Sequence, residues 1–188
     1  MPIPTFLARL SKINLSVLIF LSSIVVSAQL APLSPKATVS VLTCATGNES
    51  YSLFGHTAVR IADPEQFLDV VYNYGAFDFS TPNFVAKFAK GDLQYFVVAD
   101  SFSEFIGRYQ YAGRSVYEQK LRLSLPLKQQ LFDQLNKTLQ SEERFYTYKF
   151  IDRNCTTMVV DLLNQTIGTK AITKKDATKK TYREVLFQ

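Results

Sequence analysis

Two alternating apolar runs, His56 to Ala62 and Leu68 to Tyr74, are separated by a short turn containing Asp63 and Pro64. A connection this short joins antiparallel neighbours, because parallel strands need a crossover of about a dozen residues or more. The pair is read as a hairpin, with Gly75 ending its second strand. Other strand-like runs are Thr38 to Thr43, Leu93 to Ala99, Ser115 to Ser124 (Tyr117, Gln119, Leu121 and Leu123 on one side) and Arg144 to Ile151. Helix signals lie between them. Ser80-Thr81-Pro82 offers a capping hydroxyl and a proline for the first helical position, and Gly91 closes that helix. Ser101-Phe102-Ser103-Glu104 has capping-box form and opens a helix to about Tyr111. Leu127, Leu131, Leu135 and Leu139 share one helical face, so Pro126 to Gln140 is expected to be amphipathic. Cys155 to Asn164 is a further helix, stopped by Gly168. Strands and helices mix without the regular alternation of a doubly wound sheet. The expected fold class is α+β, a mainly antiparallel sheet packed against helices.

A chain of 188 residues, 47% apolar and 20% charged, suits one domain with a sizeable core. Its first 28 residues read as an export leader: Arg9 and Lys12, an apolar core from Leu15 to Val26, then Val26-Ser27-Ala28 ahead of Gln29. The alternative is an uncleaved N-terminal anchor, although the apolar run is short of the roughly 20 residues of a spanning helix. Cleavage removes Arg9 and Lys12 and lowers the formal charge of +5 by two. Residues 29–37 form a proline-spaced linker, 38–168 the domain, and 169–188 a basic tail with Lys170, Lys174, Lys175, Lys179, Lys180 and Arg183. Such a tail is either a solvated terminus or a contact for anionic lipid headgroups, at about 1 kcal/mol per basic residue near a membrane. An exported chain with no basic stripe elsewhere is not expected to bind nucleic acid.

The chemistry concentrates in two short stretches. Phe54-Gly55-His56-Thr57-Ala58-Val59-Arg60 carries the sole histidine, and Asp152-Arg153-Asn154-Cys155-Thr156-Thr157 puts a cysteine where an apolar helix starts. A thiol and an imidazole are the minimum for nucleophilic acyl transfer. Unpaired N–H groups at a helix start favour a thiolate and an oxyanion. Asn73, on the neighbouring strand, is the first candidate to orient the His56 ring; a one-residue slip would put a tyrosine there instead. One histidine and two cysteines do not build a four-ligand N/S zinc site without carboxylates, so no metal or other cofactor is expected. Against this stands a plainer reading, in which an exported protein joins Cys44 to Cys155 in a disulfide and His56 is a packed residue.

The order of a Gly-His-Thr-Ala strand and an Asn-Cys helix start about a hundred residues later resembles the circularly permuted papain-like enzymes, among them NlpC-type hydrolases and the lecithin:retinol acyltransferase group. Longer stretches resemble the Lnb N-terminal periplasmic domain family: Leu42-Thr43-Cys44, Tyr51 to Arg60, Val71 to Phe79, Gly113 to Gln119 and Asp152 to Thr157. Together they span roughly residues 38 to 165. The resemblance implies a periplasmic thiol enzyme that takes an acyl chain from a phospholipid onto Cys155, with His56 as base. The chain then passes to the N-terminal amine of a lipoprotein. It also implies that Cys44, Tyr51, Arg60, Tyr74, Asp78 and Arg114 line the site or bind substrate. Members acting on lipids usually continue into membrane-spanning helices, so a sequence stopping at Gln188 is expected to be either a soluble version or a fragment. The alternatives are a cysteine peptidase or amidase cutting cell-wall peptides, and a non-enzymatic exported binding module holding the disulfide.

Overall fold

The hairpin is the centre of the sheet. Strands β2 (His56–Asp63) and β3 (Leu68–Phe77) run antiparallel, with Asp63 opposite Leu68 and Ala58 opposite Asn73. This is seen in a computed structural model that describes residues 31–168 and 172–173. The leader lies outside the described residues, as does the basic tail apart from Ile172 and Thr173. With β1 (Thr38–Cys44), β4 (Gln94–Ser101), β5 (Val116–Lys120) and β6 (Phe145–Thr147), the hairpin forms a six-stranded antiparallel sheet of order β5-β1-β2-β3-β4-β6. Four α-helices complete the described residues: α1 (Phe84–Lys90), α2 (Phe102–Tyr111), α3 (Leu125–Gln140) and α4 (Cys155–Ile167). The protein is α+β.

Alternation along the strands gives the sheet two apolar faces. On one, Val39, Val59, Ile61, Tyr72 and Val97 pack with Leu131, Phe132 and Leu135 of α3 and Val159, Leu162 and Leu163 of α4. On the other, Leu42, Cys44, Ala58 and Val71 close over Phe105 of α2. Leu131 and Leu135 are fully buried and Leu127 and Leu139 partly so. Removing either buried side chain by substitution to Ala costs about 2–5 kcal/mol.

Several boundaries differ from the sequence reading. Strand β3 does not stop at Gly75 but continues to Phe77, with its register to β4 shifting between Asn73 and Ala76. Helix α1 starts at Phe84 rather than at Pro82, because the Ser80 hydroxyl and N–H donate to Asp78 at 2.7 and 2.8 Å instead of capping. Its N-cap is Asn83 in the left-handed region, φ 57°. Ser101, by contrast, caps α2 as expected, accepting from the Glu104 N–H at 3.2 Å. The run from Ser115 is a strand only over β5, at the sheet edge; Leu121 still donates to Val39 O at 2.8 Å, and it and Leu123 pack on the core. The run from Arg144 is cut to β6, since the chain must turn after Tyr148 to enter α4.

The expected linker is packed where it is described. Leu33 and Ala37 are buried, and the Ser34 N–H and hydroxyl donate to the Asp63 carboxylate at 2.6 and 2.7 Å. Glu65 N–H donates a third bond at 3.1 Å. Burial alone would raise the pKa of Asp63, but the bonds from Ser34 and from Glu65 and Gln66 hold it below the usual carboxylate value. This stabilisation is complete above the unfolded pKa of about 3.9 and is lost as pH falls through the lower folded value. Asp63→Asn is expected to lower stability in urea by about 1–3 kcal/mol at neutral pH. That difference should shrink once the pH drops below the unfolded pKa; a gap that holds constant into strong acid would mean the charge contributes nothing.

Candidate active site

His56 opens β2 and Cys155 opens α4, and the fold brings these two ends together. The residue following each is part of the fastening: Thr57 Oγ1 lies 2.8 Å from Thr156 Oγ1, across 99 residues of chain. Asn154 caps α4, its Oδ1 accepting from the N–H groups of Thr156 and Thr157 at 3.0 Å each. Thr157 Oγ1 returns the favour at 2.8 Å to the Asn154 N–H, completing a capping box. The Asn154 amide also donates to Phe150 O at 3.0 Å, holding the turn before the helix. Among the described residues no acceptor takes the Cys155 N–H, which remains directed out of the first turn.

Asn73 sets the ring of His56. Its Oδ1 lies 2.7 Å from His56 Nε2 and accepts the Gly75 N–H at 2.8 Å. A backbone N–H is a donor only, so Gly75 fixes the oxygen of the Asn73 amide on this side. The ring nitrogen facing that oxygen must then carry the proton, which assigns Nε2–H and leaves Nδ1 for the thiol. Extending the β2–β3 register by two residues sets His56 across from Gly75, so Asn73 reaches the ring diagonally. The ring lies directly on Gly75: a Cβ there would run into His56 Cε1 and come within 3.0 Å of Asn73 Oδ1.

Cys155 is half-buried. Burial raises its pKa, but the hydrogen bond and charge of His56, helped by the Thr57 N–H and the Thr156 hydroxyl, bring it below the value of a free thiol. The other cysteine has the opposite bias. Burial of Cys44 against α2 pushes its thiol up, despite a hydrogen bond with Tyr109 and the nearby charge of Arg114. Both cysteines are free thiols, so the disulfide of the plainer sequence reading is not formed.

A cavity of about 170 Å³ opens over His56 and Cys155. His56, Asn73, Cys155, Tyr51 and Arg114 line it together with Ser50, Ser52, Phe54, Tyr109 and the rings of Phe77, Phe88, Tyr95, Tyr148 and Phe150. These rings are in mutual contact: Tyr95 stacks on Tyr148 at 4.4 Å between centroids, and Phe150 meets both Tyr148 and Phe88 edge-on at 5.4 and 5.5 Å. Cys44 lies beneath, one layer behind Tyr109.

The model of the Lnb N-terminal periplasmic domain family matches residues 27–188. The chain belongs to that family. Comparison with curated proteins and with solved structures found no match. A periplasmic family places this Lnb-type domain among exported proteins, in keeping with the leader read from the sequence. Among the described residues no helix is long and apolar enough to cross a membrane.

Three residues expected at the site by resemblance lie elsewhere. The Arg60 guanidinium is taken up by Asp69 at 2.7 and 2.8 Å and by Glu118 at 3.1 Å, and it stacks on Phe102 at 3.4 Å. It ties β2, β3 and β5 together over α2. Tyr74 is buried in the main core, on the opposite side of β3 from Asn73, and its phenol is pushed up to about 12 by that burial. Asp78 is spent on Ser80 outside the cavity. Conversely, the sequence reading did not single out Gly75 as a site residue. A glycine inside a strand pattern is a signal of close approach by another group, and here the group is the imidazole.

Two outcomes check this geometry. Alkylation of Cys155 should rise with pH with a midpoint below the 9.0 of an unperturbed thiol, and His56→Ala should move it upward because burial is then opposed only by the weaker bonds from Thr57 and Thr156. Cys44 should stay unlabelled until the protein is unfolded. Gly75→Ala should slow Cys155 alkylation near neutral pH by about tenfold, a loss of roughly 1.4 kcal/mol of thiolate stabilisation, with far less effect on the melting temperature. Equal labelling of both thiols in the folded protein would contradict the assignment.

Proposed function

We propose that this domain is a periplasmic thiol acyltransferase with a permuted papain-like arrangement, moving an acyl chain from a phospholipid through a Cys155 thioester to the N-terminal amine of a lipoprotein. The observation carrying the proposal is the thiol with lowered pKa at a helix start, facing a histidine whose tautomer is fixed by Asn73, at the edge of an aromatic cavity. His56 Nδ1 takes the thiol proton and Sγ attacks the ester carbonyl of the donor. The oxyanion forms against the free N–H of Cys155. Collapse breaks the ester C–O bond, and His56 returns the proton to the departing alcohol, leaving the thioester and a lysolipid. The acceptor amine then attacks the thioester carbon. His56 takes the proton of the amine, the new amide C–N bond forms, and Cys155 leaves as thiolate. Asn73 holds Nε2–H throughout and so keeps Nδ1 on the reacting side.

One wall of the cavity supports an acyl donor over a polar cell-wall peptide. Phe77, Phe88 and Phe150 have no hydrogen-bonding group to offer a peptide, whereas an alkyl chain gains about 0.8 kcal/mol for each methylene it buries. Incubation of the reduced protein with phospholipid vesicles should give a long-chain thioester at Cys155, seen by intact mass and released by neutral hydroxylamine. Cys155→Ser should abolish the hydroxylamine-sensitive adduct. His56→Ala should slow its formation by about 10²–10⁴-fold, the usual worth of a general base, and Asn73→Ala by less. A lipid-free protein that instead hydrolyses peptide amides would return the reading to the hydrolase. Failure of any acyl donor to modify Cys155 would sink the acyltransferase.

A further inference from the structure

The two ends of the cavity differ in chemistry, and the order of the strands separates them. His56 and Asn73 belong to the two central strands of the sheet. Toward the β1–β5 edge stand Arg114, just before β5, and Tyr109, against Cys44 of β1. Toward the β4–β6 edge stand Tyr95 of β4 and Tyr148 after β6, backed by Phe88 and Phe150. The reacting thiol lies between a polar end and an aromatic one.

Arg114 is the one permanently charged side chain among the described residues lining the cavity. Its Nε and Nη2 donate to Ala45 O at 2.9 and 2.7 Å, and its guanidinium carbon stands 4.7 Å from the centre of the Tyr109 ring. Gly47 packs the loop around it: a Cβ there would meet Arg114 Cδ at 3.1 Å and Ser52 Oγ at 2.6 Å. The guanidinium is thus held rigidly by a carbonyl and a ring. Among the described residues no carboxylate neutralises it, and Nη1 has no partner. A fork with fixed orientation and unspent charge is suited to a phosphate, whose oxygens take two N–H donors at once. Arg60, by comparison, has every arm in use.

We propose that Arg114 is the phosphate-recognition residue of this site, binding the anionic group of an amphiphilic donor whose alkyl chain lies along the Phe88–Phe150 end. The proposal rests on the acyl-transfer reading and adds to it the residue that selects a phosphate-bearing donor over a neutral ester.

Protection of Cys155 from iodoacetamide, a neutral reagent, reads occupancy of the cavity without any turnover. Dodecyl phosphate is expected to protect the thiol, and Arg114→Gln to raise the concentration needed about 10- to 100-fold. Arg114→Lys, which keeps the charge but loses the fork, should fall between them. Dodecyl maltoside, with the same chain and no charge, should show no comparable shift between the proteins. Inorganic phosphate should protect only at much higher concentration than dodecyl phosphate, since it gains nothing from the aromatic end. An unchanged requirement for dodecyl phosphate in Arg114→Gln would overturn the proposal. So would an equal shift for dodecyl maltoside, which would mean that Arg114 only supports the Ala45 loop. Inorganic phosphate protecting as well as dodecyl phosphate would overturn the amphiphile. A protein that forms no thioester yet shows the Arg114-dependent protection would refute acyl transfer and leave the anion site standing.

Discussion

One oxygen atom decides the state of the site. Asn73 Oδ1 accepts from the Gly75 N–H and from His56 Nε2, and the first bond dictates the sense of the second. An amide turned the other way would place two donors against each other at Gly75, leaving a half-buried N–H unmet at a cost of about 1 kcal/mol. The backbone of β3 therefore selects the tautomer of a ring on β2. The same stretch is where the β3–β4 register shifts, and such irregularities bend a strand and redirect side chains. The missing Cβ of Gly75 gives the imidazole its seat. Sheet geometry, rather than a flexible loop, sets the orientation of the histidine.

Much of this was legible because it follows from local rules. The short turn at Asp63–Phe67 admits only an antiparallel pair, the leucines of α3 fall on one face, and Ser101 occupies a cap position with the side chain a cap requires. His56 and Asn73 were placed within reach by the hairpin. What escaped reading depended on partners that competed for the same groups, some close in the chain and some distant. Ser80 looks like a cap until Asp78 takes its hydroxyl. Arg60 looks like a site residue until Asp69 and Glu118 are seen to surround it. The run after Arg144 has strand composition over its whole length, yet after β6 it turns back on itself, Lys149 bridging to Arg153 instead of extending the sheet. At Ser80 one local bond displaced another, and at Arg60 the neighbouring strands claimed the side chain.

Burial and pairing compete at Cys155, and the balance differs from that at Cys44. Both thiols are removed from water, which favours the neutral form. Cys155 faces His56 and two further hydrogen-bond donors, and these outweigh desolvation. Cys44 has Tyr109, a neutral phenol itself pushed up by burial, and the balance stays with the thiol. The aromatic wall sharpens the contrast. Tyr148 is held up at about 12 by burial and by the neighbouring Cys155 charge, so it stays neutral wherever a thiolate exists beside it. A wall that cannot ionise supplies low dielectric without competing charge, and a thiolate–imidazolium pair is stronger in such surroundings.

The two faces of the sheet carry different parts of the site, and this separation has a consequence for how it responds to damage. Cys155 is held from the α3–α4 side through the main core, while Cys44, Tyr109 and Arg114 are held from the α2 side through the second cluster. At the strand ends the two sides are linked by Thr57 with Thr156 and by His56 with Cys155. A cavity substitution under α2, at Phe105, therefore acts first on the polar end and on Arg114. One under α4, at Val159 or Leu163, acts first on the thiol. Residues in separate packing clusters with no shared partner behave nearly additively, while residues sharing a hydrogen-bond network do not. Thiol activation and anion recognition are, by this physics, separable properties of one cavity, joined where β1, β2 and β3 end together.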